Sequence, residues 1–397
     1  MDTIQIAHPA PKVAQKGGFK QINSAPLSKK LIFQYKIFSS IIDIPQDQWL
    51  SVWPNPAESY NFYLCQEKAN LAEFQFFYLV VYCDEKVVLI APFFLADFNL
   101  GIVLEGVGER LIVNIQKLWP RFLMMRTLFC GSPVSTNGVI GIDPGYVHNS
   151  ELMTLFERAL HDFAIKCKVR MIVLKDFLGG DLRVLKPLRS MGYFEADSYP
   201  MAVLKIDFSS MEGYFSKLSH QTRKDLRRKI RKTEALGGVD IEVVNTIDDC
   251  ADEICRLYQN VYNKSVFHFE HLTKDFFNNF CRYMPAETKF FLYRANNKLI
   301  GFNFCLVQED ALVDKYLGFD YTASREYNLY FMSYLNNVKW CLENGKKNYF
   351  LSQGGYETKS RLGAGVIPLR GMIKIIHPFF TPFIRLMGWV CGWKTNG

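Results

Sequence analysis

Strand-like and helix-like patterns alternate along this chain, and their order in the first half returns in the second. Apolar residues recur at every second position in strands and at every third or fourth position in helices. The first half predicts a helix over 58–69, strands over 76–83 and 86–95, a helix over 151–166 and a strand over 169–175. The second half predicts strands over 289–294, 298–308 and 311–319, a helix over 327–343 and a strand over 348–352. This order predicts a mixed α/β (α+β) fold.

Local sequence favours a two-fold internal repeat. The sequence Phe-Phe-Tyr-Leu at 76–79 resembles Phe-Phe-Leu-Tyr at 290–293, and each precedes a predicted hairpin. Both halves then continue through a helix, a basic link and an apolar strand to a Gly-Gly pair, at 179–180 and 354–355. The repeat predicts two similar units with a boundary near 199–206. Chance likeness between two α/β halves is the alternative.

Composition places the chain among globular proteins of a reducing compartment. Of its 397 residues, 49% are hydrophobic, which leaves ample apolar material for a core. The ten cysteines include no C-x-x-C pair, so we expect buried free thiols and a cytoplasmic location. Residues 1–30 have no secretory apolar run and predict a flexible arm. Residues 376–397 predict an aromatic C-terminal helix that docks on the core or on a bilayer surface.

The positive charge is concentrated in one short segment. Residues 217–232 contain eight bases and one acid, while the remaining 39 basic and 38 acidic residues nearly balance. The capping-box spacing of Ser209 and Glu212 predicts one helix start near Ser210, Ser219 predicts a second, and the Gly-Gly pair at 237–238 predicts the end of that helix. The basic helix over 217–236 is either a solvated face, a nucleic-acid contact, or a site for a phosphate-bearing small molecule or lipid head group.

Several motifs of other enzyme classes are absent from the sequence. It contains no G-x-x-x-x-G-K-[ST], G-x-S-x-G, H-E-x-x-H or strand-linked G-x-G-x-x-G. Their absence disfavours P-loop phosphoryl transfer, serine esterase chemistry, zinc hydrolysis and nicotinamide-dependent hydride transfer. The dispersed histidines likewise predict no metal site.

Four segments of the second half resemble FemAB-like N-acyltransferases of the GNAT superfamily, the peptidoglycan biosynthesis/recognition and cellulose-biosynthesis-associated group. They are the basic run at 214–229, Asn-Lys-Leu-Ile-Gly-Phe-Asn-Phe at 297–304, Lys-Tyr-Leu-Gly-Phe-Asp at 315–320, and the run from Phe350 to Gly363 that contains a K-x-x-x-G loop. The first half resembles the family more weakly, through the apolar strand at 87–94.

The resemblance implies two tandem GNAT-like lobes, each a mixed central sheet flanked by helices. It implies a first lobe at 31–200 and a catalytic lobe at 201–375. It also implies transfer of an acyl group from acyl-CoA to an amine of a small-molecule, lipid or cell-envelope acceptor, without a metal. An aminoacyl-tRNA-dependent Fem-type ligase and a non-catalytic binder of anionic membrane or ligand are the alternatives.

Two departures from the family pattern bear on the donor. The GNAT pyrophosphate loop R/Q-x-x-G-x-G/A is absent, and Arg361-Leu-Gly-Ala-Gly365 has its composition in another register. The long helical arm of the tRNA-dependent Fem ligases has no room here, because 237–238 leads directly to a strand-like segment at 239–244. An acyl-CoA donor is therefore favoured over aminoacyl-tRNA, and nucleic acid is expected only as such a tRNA.

Candidate site residues follow from the demands of acyl transfer, which needs a positioned neutral amine, a proton acceptor and donors for the oxyanion. We expect the pocket between 313–319 and 350–363. Lys359 is the first catalytic candidate, and Asp314 and Tyr316 are predicted to share one strand face and handle the proton. The candidates for substrate or cofactor binding are Arg223, Arg227, Arg228, Gln353, Tyr356 and Arg361. Ordinary surface, core and turn roles are the alternatives for these residues.

Overall fold

A computed structural model of the chain describes residues 31–55, 57–100, 115, 118–119, 122–265, 269–351 and 353–376. All helices and strands given below belong to one compact unit, which begins at Phe33. The predicted N-terminal arm at 1–30 and all but the first residue of the predicted C-terminal helix at 376–397 lie outside the described residues.

The first half follows the order that its sequence patterns predict. Its strands are β1 (Phe33–Phe38), β2 (Gln75–Cys83), β3 (Lys86–Asn99), β4 (Met124–Cys130), β5 (Gly141–Ile142), β6 (Met171–Leu178) and β7 (Phe194–Lys205). Its helices are α1 (Gln46–Val52), α2 (Tyr60–Glu67), α3 (Ser150–Lys166) and α4 (Leu182–Leu185).

The second half repeats this order with its own elements. Its strands are β8 (Asp240–Val244), β9 (Thr288–Ala295), β10 (Lys298–Val307), β11 (Ala311–Phe319), β12 (Asn348–Leu351) and β13 (Gly365–Ile375). Its helices are α5 (Met211–Lys217), α6 (His220–Ala235), α7 (Ala251–Tyr262), α8 (Lys274–Tyr283), α9 (Tyr321–Glu326), α10 (Leu329–Glu343) and α11 (Tyr356–Arg361).

The two halves share one sheet and exchange their last strands. The strand order is β1-β2-β3-β4-β6-β13-β7-β12-β11-β10-β9-β8, with β5 on β3. Strand β13 of the second half pairs with β6 of the first, and β7 pairs with β12. The order is symmetric about the β13–β7 pair, which supports the predicted repeat. Because β7 crosses residue 200, the division into lobes at 31–200 and 201–375 remains a prediction.

Helices form layers on both sides of the sheet, and one layer lies between its halves. Residues of α1, α2, α7 and α8 share a hydrophobic cluster with β2–β4 and with β9–β11. Helix α3 covers the other face of the first half. Helices α5, α6 and α10 cover the other face of the second half. We call the second-half face toward α7 and α8 the inner face, and the face toward α6 and α10 the outer face.

The family-like glycines have packing roles around β10 and β11. A Cβ at Gly318 would lie 2.6 Å from the backbone of α7 at Leu257 and Tyr258, and one at Gly301 would lie 2.6 Å from Leu329 of α10. Two helices can therefore approach these strands closely on account of the missing side chains. The predicted two-residue turn is confirmed, since Asn296 and Asn297 both have positive φ, as a type I′ hairpin requires.

Candidate functional site

Strands β11 and β12 run parallel for three residue pairs and then separate. The last pair is Val313 with Phe350, after which β11 continues to Phe319 while β12 ends at Leu351. Within the described residues no strand pairs with β11 on this edge beyond Val313. Unpaired strand edges offer backbone N–H and C=O groups to a ligand. This gap, which we call the second-half splay, lies where the sequence predicts the pocket.

A β-bulge at the splay determines which side chains face each other. Phe304 of β10 pairs with Tyr316 and Cys305 pairs with Asp314, so Lys315 is an extra residue in β11. Tyr316 packs on the inner face against Phe276, whereas Asp314 lies among outer-face residues. The prediction that Asp314 and Tyr316 share a face is therefore wrong, because the bulge interrupts the alternation of side chains.

Asp314 is the centre of a buried polar network on the outer face. Its side chain accepts hydrogen bonds from Asn303 Nδ2 (3.1 Å to each oxygen) and from the Tyr349 hydroxyl (2.9 Å). The Tyr349 hydroxyl also accepts a bond from Asn337 Nδ2 at 2.9 Å. Burial raises the pKa of Asp314 to about 6, although these hydrogen bonds and the charge of Lys359 oppose the shift.

Lys359 lies on α11 and interacts electrostatically with Asp314 of β11. Only 6% of Lys359 is exposed. Burial lowers its pKa to about 8, and the Asp314 carboxylate opposes that shift. Helix α11 is held at its end, where the Leu362 carbonyl accepts bonds from the hydroxyls of Tyr214 (2.8 Å) and Tyr334 (3.1 Å). The fold thus places an ammonium and a carboxylate, both costly to bury, beside the second-half splay.

Tyr316 belongs to a different group on the inner face. Its hydroxyl donates to Glu270 Oε1 at 2.8 Å. Burial raises the pKa of Glu270 to about 7, while the Tyr316 bond and the charge of Lys175 oppose the rise. The bulge therefore separates an ammonium–carboxylate pair on one face from a tyrosine–carboxylate pair on the other.

Two of the predicted binding residues bond to β7, and a third lies at the surface. Gln353 Nε2 donates to the Tyr199 carbonyl at 3.4 Å, and the Tyr356 hydroxyl donates to the Pro200 carbonyl at 2.9 Å. These bonds attach the start of α11 to β7. Arg361 is exposed at the end of α11. Gln353 and Tyr356 thus have clear structural roles at these positions.

The basic helix α6 forms as the sequence predicts. Its N-cap Ser219 accepts from the Thr222 amide at 3.2 Å, and Gly237 and Gly238 follow it with positive φ. A cleft of about 460 Å³ runs along its surface. The cleft is lined by His220, Arg223, Lys224, Arg227, Ile230 and Arg231.

The three arginines predicted to bind phosphate divide into two groups. Arg223 and Arg227 line the cleft, whereas Arg228 is paired with Asp225 at 2.8 Å and does not. Arg223 also donates to the Leu218 carbonyl at 2.8 Å, which holds its guanidinium near the helix start. Two of the three residues are therefore brought together in one basic cleft.

Helix α6 packs against the beginning of α10. Thr233 donates its hydroxyl to the Tyr327 carbonyl at 2.7 Å, and the Lys229 ammonium lies 4.5 Å from the centre of the Phe331 ring. The N-terminus of a helix carries unpaired N–H groups and a partial positive charge. A cationic helix and a helix N-terminus are thus neighbours on the outer face.

The equivalent splay in the first half is filled by the chain itself. Strands β4 and β6 are parallel up to Cys130 and Leu174 and then separate. The segment 131–138 occupies the gap, with the Gly138 amide bonded to the Asp176 carbonyl at 2.8 Å. A Cβ at Gly138 would lie 2.1 Å from the Lys175 carbonyl, so the backbone is in direct contact with β6.

Sequence reasoning missed the partners of the candidate residues. Asn303 stands between two phenylalanines in an apolar strand, and this polar interruption was a usable signal. Its Oδ1 atom is buried and has no hydrogen-bond partner among the described residues. Glu58 lies in the first half and Glu270 lies between the motifs at 214–229 and 297–304, and no local pattern indicates the role of either residue.

Within the described part of the chain, no three metal-ligating side chains cluster together, and no helix is long and apolar enough to cross a membrane. All nine cysteines in this part are free.

The solved structures of three proteins are similar to this chain over almost their whole length. They are L-PGS from Bacillus licheniformis (TM-score 0.51, 11% identity, 86% of this chain and 98% of that one), FemX (0.53, 10%, 88% and 99%) and a tandem GNAT protein from the clavulanic acid biosynthesis pathway (0.52, 12%, 87% and 99%). At such identities the match concerns the fold alone. No curated protein sequence matches the chain.

The exchanged sheet, its splayed strands and these matches therefore define the class by its fold, a tandem GNAT-type fold, as predicted. The sequence identifies the family within this class, because residues 181–385 match the FemAB-like family of peptidoglycan biosynthesis/recognition proteins. The chain belongs to that family, and the resemblance drawn from its motifs is confirmed.

Proposed function

We propose that the protein is an N-acyltransferase that transfers an acyl group from acyl-CoA to an amine at the second-half splay. The observation that carries the proposal is the buried Asp314–Lys359 pair beside the open edge of β11. A buried ammonium is costly, and its retention next to a gap of this kind supports a role in binding an anion or stabilising a developing oxyanion.

In the proposed reaction, residues on the outer and inner faces of the sheet have different roles. The neutral amine attacks the thioester carbonyl, the C–N bond forms and the C–S bond breaks, so that CoA leaves as a thiolate while the amine nitrogen loses one proton to a base. Lys359 stabilises the oxyanion, and Asp314 raises the pKa of Lys359 and so keeps it charged. Glu270, whose pKa of about 7 suits a proton acceptor, takes that proton on the inner face, and Tyr316, whose hydroxyl donates to Glu270, orients the carboxylate.

The basic cleft is proposed to hold the phosphates of the donor. Arg223 and Arg227 line it, and the start of α10 lies against the same helix α6. Only residues 236–239 link α6 to β8, which leaves no space for a helical arm and supports acyl-CoA over aminoacyl-tRNA. The acceptor is a small-molecule, lipid or cell-envelope amine. A cytoplasmic location, with peripheral contact to an anionic membrane, belongs to the same proposal.

The test is release of free thiol from a series of acyl-CoAs in the presence of primary amines. The proposal expects release that depends on both substrates, and stabilisation of the protein by CoA alone in a thermal-shift measurement. Transfer from aminoacyl-tRNA without turnover of any acyl-CoA would establish the Fem-type alternative. Binding to anionic liposomes with no turnover from either donor would establish the non-catalytic alternative.

A further inference from the structure

The bulge residue Lys315 is held entirely by groups of the first half. Its ammonium donates to the Glu58 carboxylate, to Thr136 Oγ1 at 2.7 Å and to the Val134 carbonyl at 3.1 Å. A lysine has three N–H donors, and all three are used. The Lys315 side chain is 7% exposed and that of Glu58 is 2% exposed.

Glu58 is equally well fixed on its own side. Its carboxylate accepts the Thr136 amide at 3.0 Å and the Thr136 hydroxyl at 2.6 Å. Its backbone carbonyl accepts the indole N–H of Trp53 at 2.9 Å. The carboxylate is therefore a rigid acceptor and not a mobile surface acid.

The segment that grips Lys315 is the one that fills the first-half splay. Val134 and Thr136 lie within 131–138, which Gly138 joins to β6. The Ser132 hydroxyl donates to Gln66 at 2.5 Å, and Lys175 donates to the Ser132 carbonyl at 3.1 Å. The loop is thus anchored to α2 and to β6 before it reaches across to β11.

We infer that Glu58, acting with Thr136, is a positioning residue that fixes the β11 bulge for acyl transfer in the second-half splay. The inference rests on the function proposed above. Lys315 is the extra residue of the bulge, so its attachment determines where the backbone turns between Asp314 and Tyr316. Both members of the site that flank the bulge then depend on a contact made by the other half of the molecule. The first half, whose own splay is filled, serves as a support for the second.

The experiment compares Glu58→Gln, Lys315→Met and the double variant with the wild-type chain. Each single change leaves one buried charge without its partner and lowers thermal stability. The double variant removes both charges and restores part of the stability, but it does not restore the three bonds to the bulge residue. We expect kcat to be reduced about tenfold or more in all three, with the KM for the donor within about twofold of wild type.

Two further measurements separate positioning from stability. Hydrogen exchange of backbone amides in 313–318 should be about tenfold faster in the double variant, with β9 unchanged. The matched control is the Glu157–Lys374 pair, which is also mostly buried but lies between α3 and β13. The double change Glu157→Gln with Lys374→Met should lower stability and leave kcat unchanged.

The possible results distinguish failure of the positioning role from failure of the proposed function. A double variant of Glu58 and Lys315 that recovers kcat along with stability overturns the positioning role. Unchanged exchange in 313–318 overturns it as well, whether or not any acyl transfer is found. If wild-type protein transfers no acyl group, the proposed function fails, and faster exchange would still show that Glu58 fixes the bulge.

Discussion

The burial of Lys359 destabilises the charged form of its side chain. Burial lowers its pKa from 10.5 to about 8, so below pH 8 the folded state carries a cost that falls as the pH rises toward 10.5. Burial raises the pKa of Asp314 from 3.8 to about 6, so its contribution is favourable at low pH and is lost as the pH rises through 6. Between pH 6 and 8 both groups are charged and both reduce stability, which is typical of residues retained for function.

The same two pKa values predict a bell-shaped dependence of kcat on pH. Below about pH 6 Asp314 is protonated, and above about pH 8 Lys359 is neutral, so the charged pair exists only between these values. Steady-state rates from pH 5 to 9.5 at saturating substrates measure the profile. Asp314→Asn should keep an acidic limb near pH 7, set by Glu270, and should move the basic limb to lower pH, because Asp314 raises the pKa of Lys359. A rate that keeps rising from pH 8 to 9.5 contradicts the assignment of Lys359 as an active cation.

At the scale of elements, α6 supplies a charged surface whose members are not equivalent. Arg227 lines the cleft, while Arg228 is paired with Asp225 and its side chain is 66% exposed. Exposed ion pairs contribute little to stability or binding, whereas a charged hydrogen bond to phosphate contributes more. The helix therefore provides its own matched pair of substitutions.

Arg227→Ala should raise the KM for acyl-CoA about tenfold, because a contact to donor phosphate is lost. Arg228→Ala should change it by less than about twofold. Initial rates at varied donor concentration measure both variants, and the difference should shrink at high salt. Equal effects of the two substitutions on the KM would show that donor binding depends on the net positive charge of α6 and not on the position of Arg227.

Strand β11 also depends on close packing with α7. Gly318→Ala would place a Cβ 2.6 Å from the α7 backbone, so it should destabilise the fold by about 2 kcal/mol. Gly179→Ala is the control, because nothing lies within 4 Å of its added Cβ and its φ is not positive. Chemical denaturation of the two variants measures the difference. A Gly318→Ala protein as stable as wild type would mean that α7 and β11 separate readily.

Sequence patterns predict local elements of this chain well and predict contacts between its halves poorly. The caps at Ser219 and at 237–238 and the turn at 296–297 depend on neighbouring residues, and all three are confirmed. The bulge at Lys315 depends on Glu58, which is 257 residues away, and no period in β11 reveals it. That is why Tyr316 lies on the face opposite to the predicted one.

At the scale of the whole molecule, two similar halves have become unequal. The exchange of β7 and β13 joins them into one sheet, yet among residues 31–376 that the structure describes only the second half keeps an open strand edge at its splay. The first-half splay contains the segment 131–138 instead. The repeat in the sequence therefore predicts two sites, whereas the structure favours one.

Calorimetric titration with CoA should accordingly give one binding site per chain. The first half offers no equivalent gap, because the Gly138 backbone is in contact with β6 there. Arg227→Ala should weaken this single binding event and leave no second one visible. A stoichiometry of two would contradict the conclusion that the first half has lost its site.

Release of thiol from acyl-CoA by wild-type protein and by Lys359→Met is the decisive measurement of the proposed acyl transfer. We expect amine-dependent release by the wild type and a kcat reduced about a hundredfold in the variant, because oxyanion stabilisation is lost. Lys359→Met removes a buried ammonium but leaves the Asp314 carboxylate without its cationic neighbour, so the unfolding midpoints of both proteins are measured and kcat is compared well below the lower one. A Lys359→Met protein that keeps the wild-type kcat would rule out Lys359 as the group that stabilises the oxyanion.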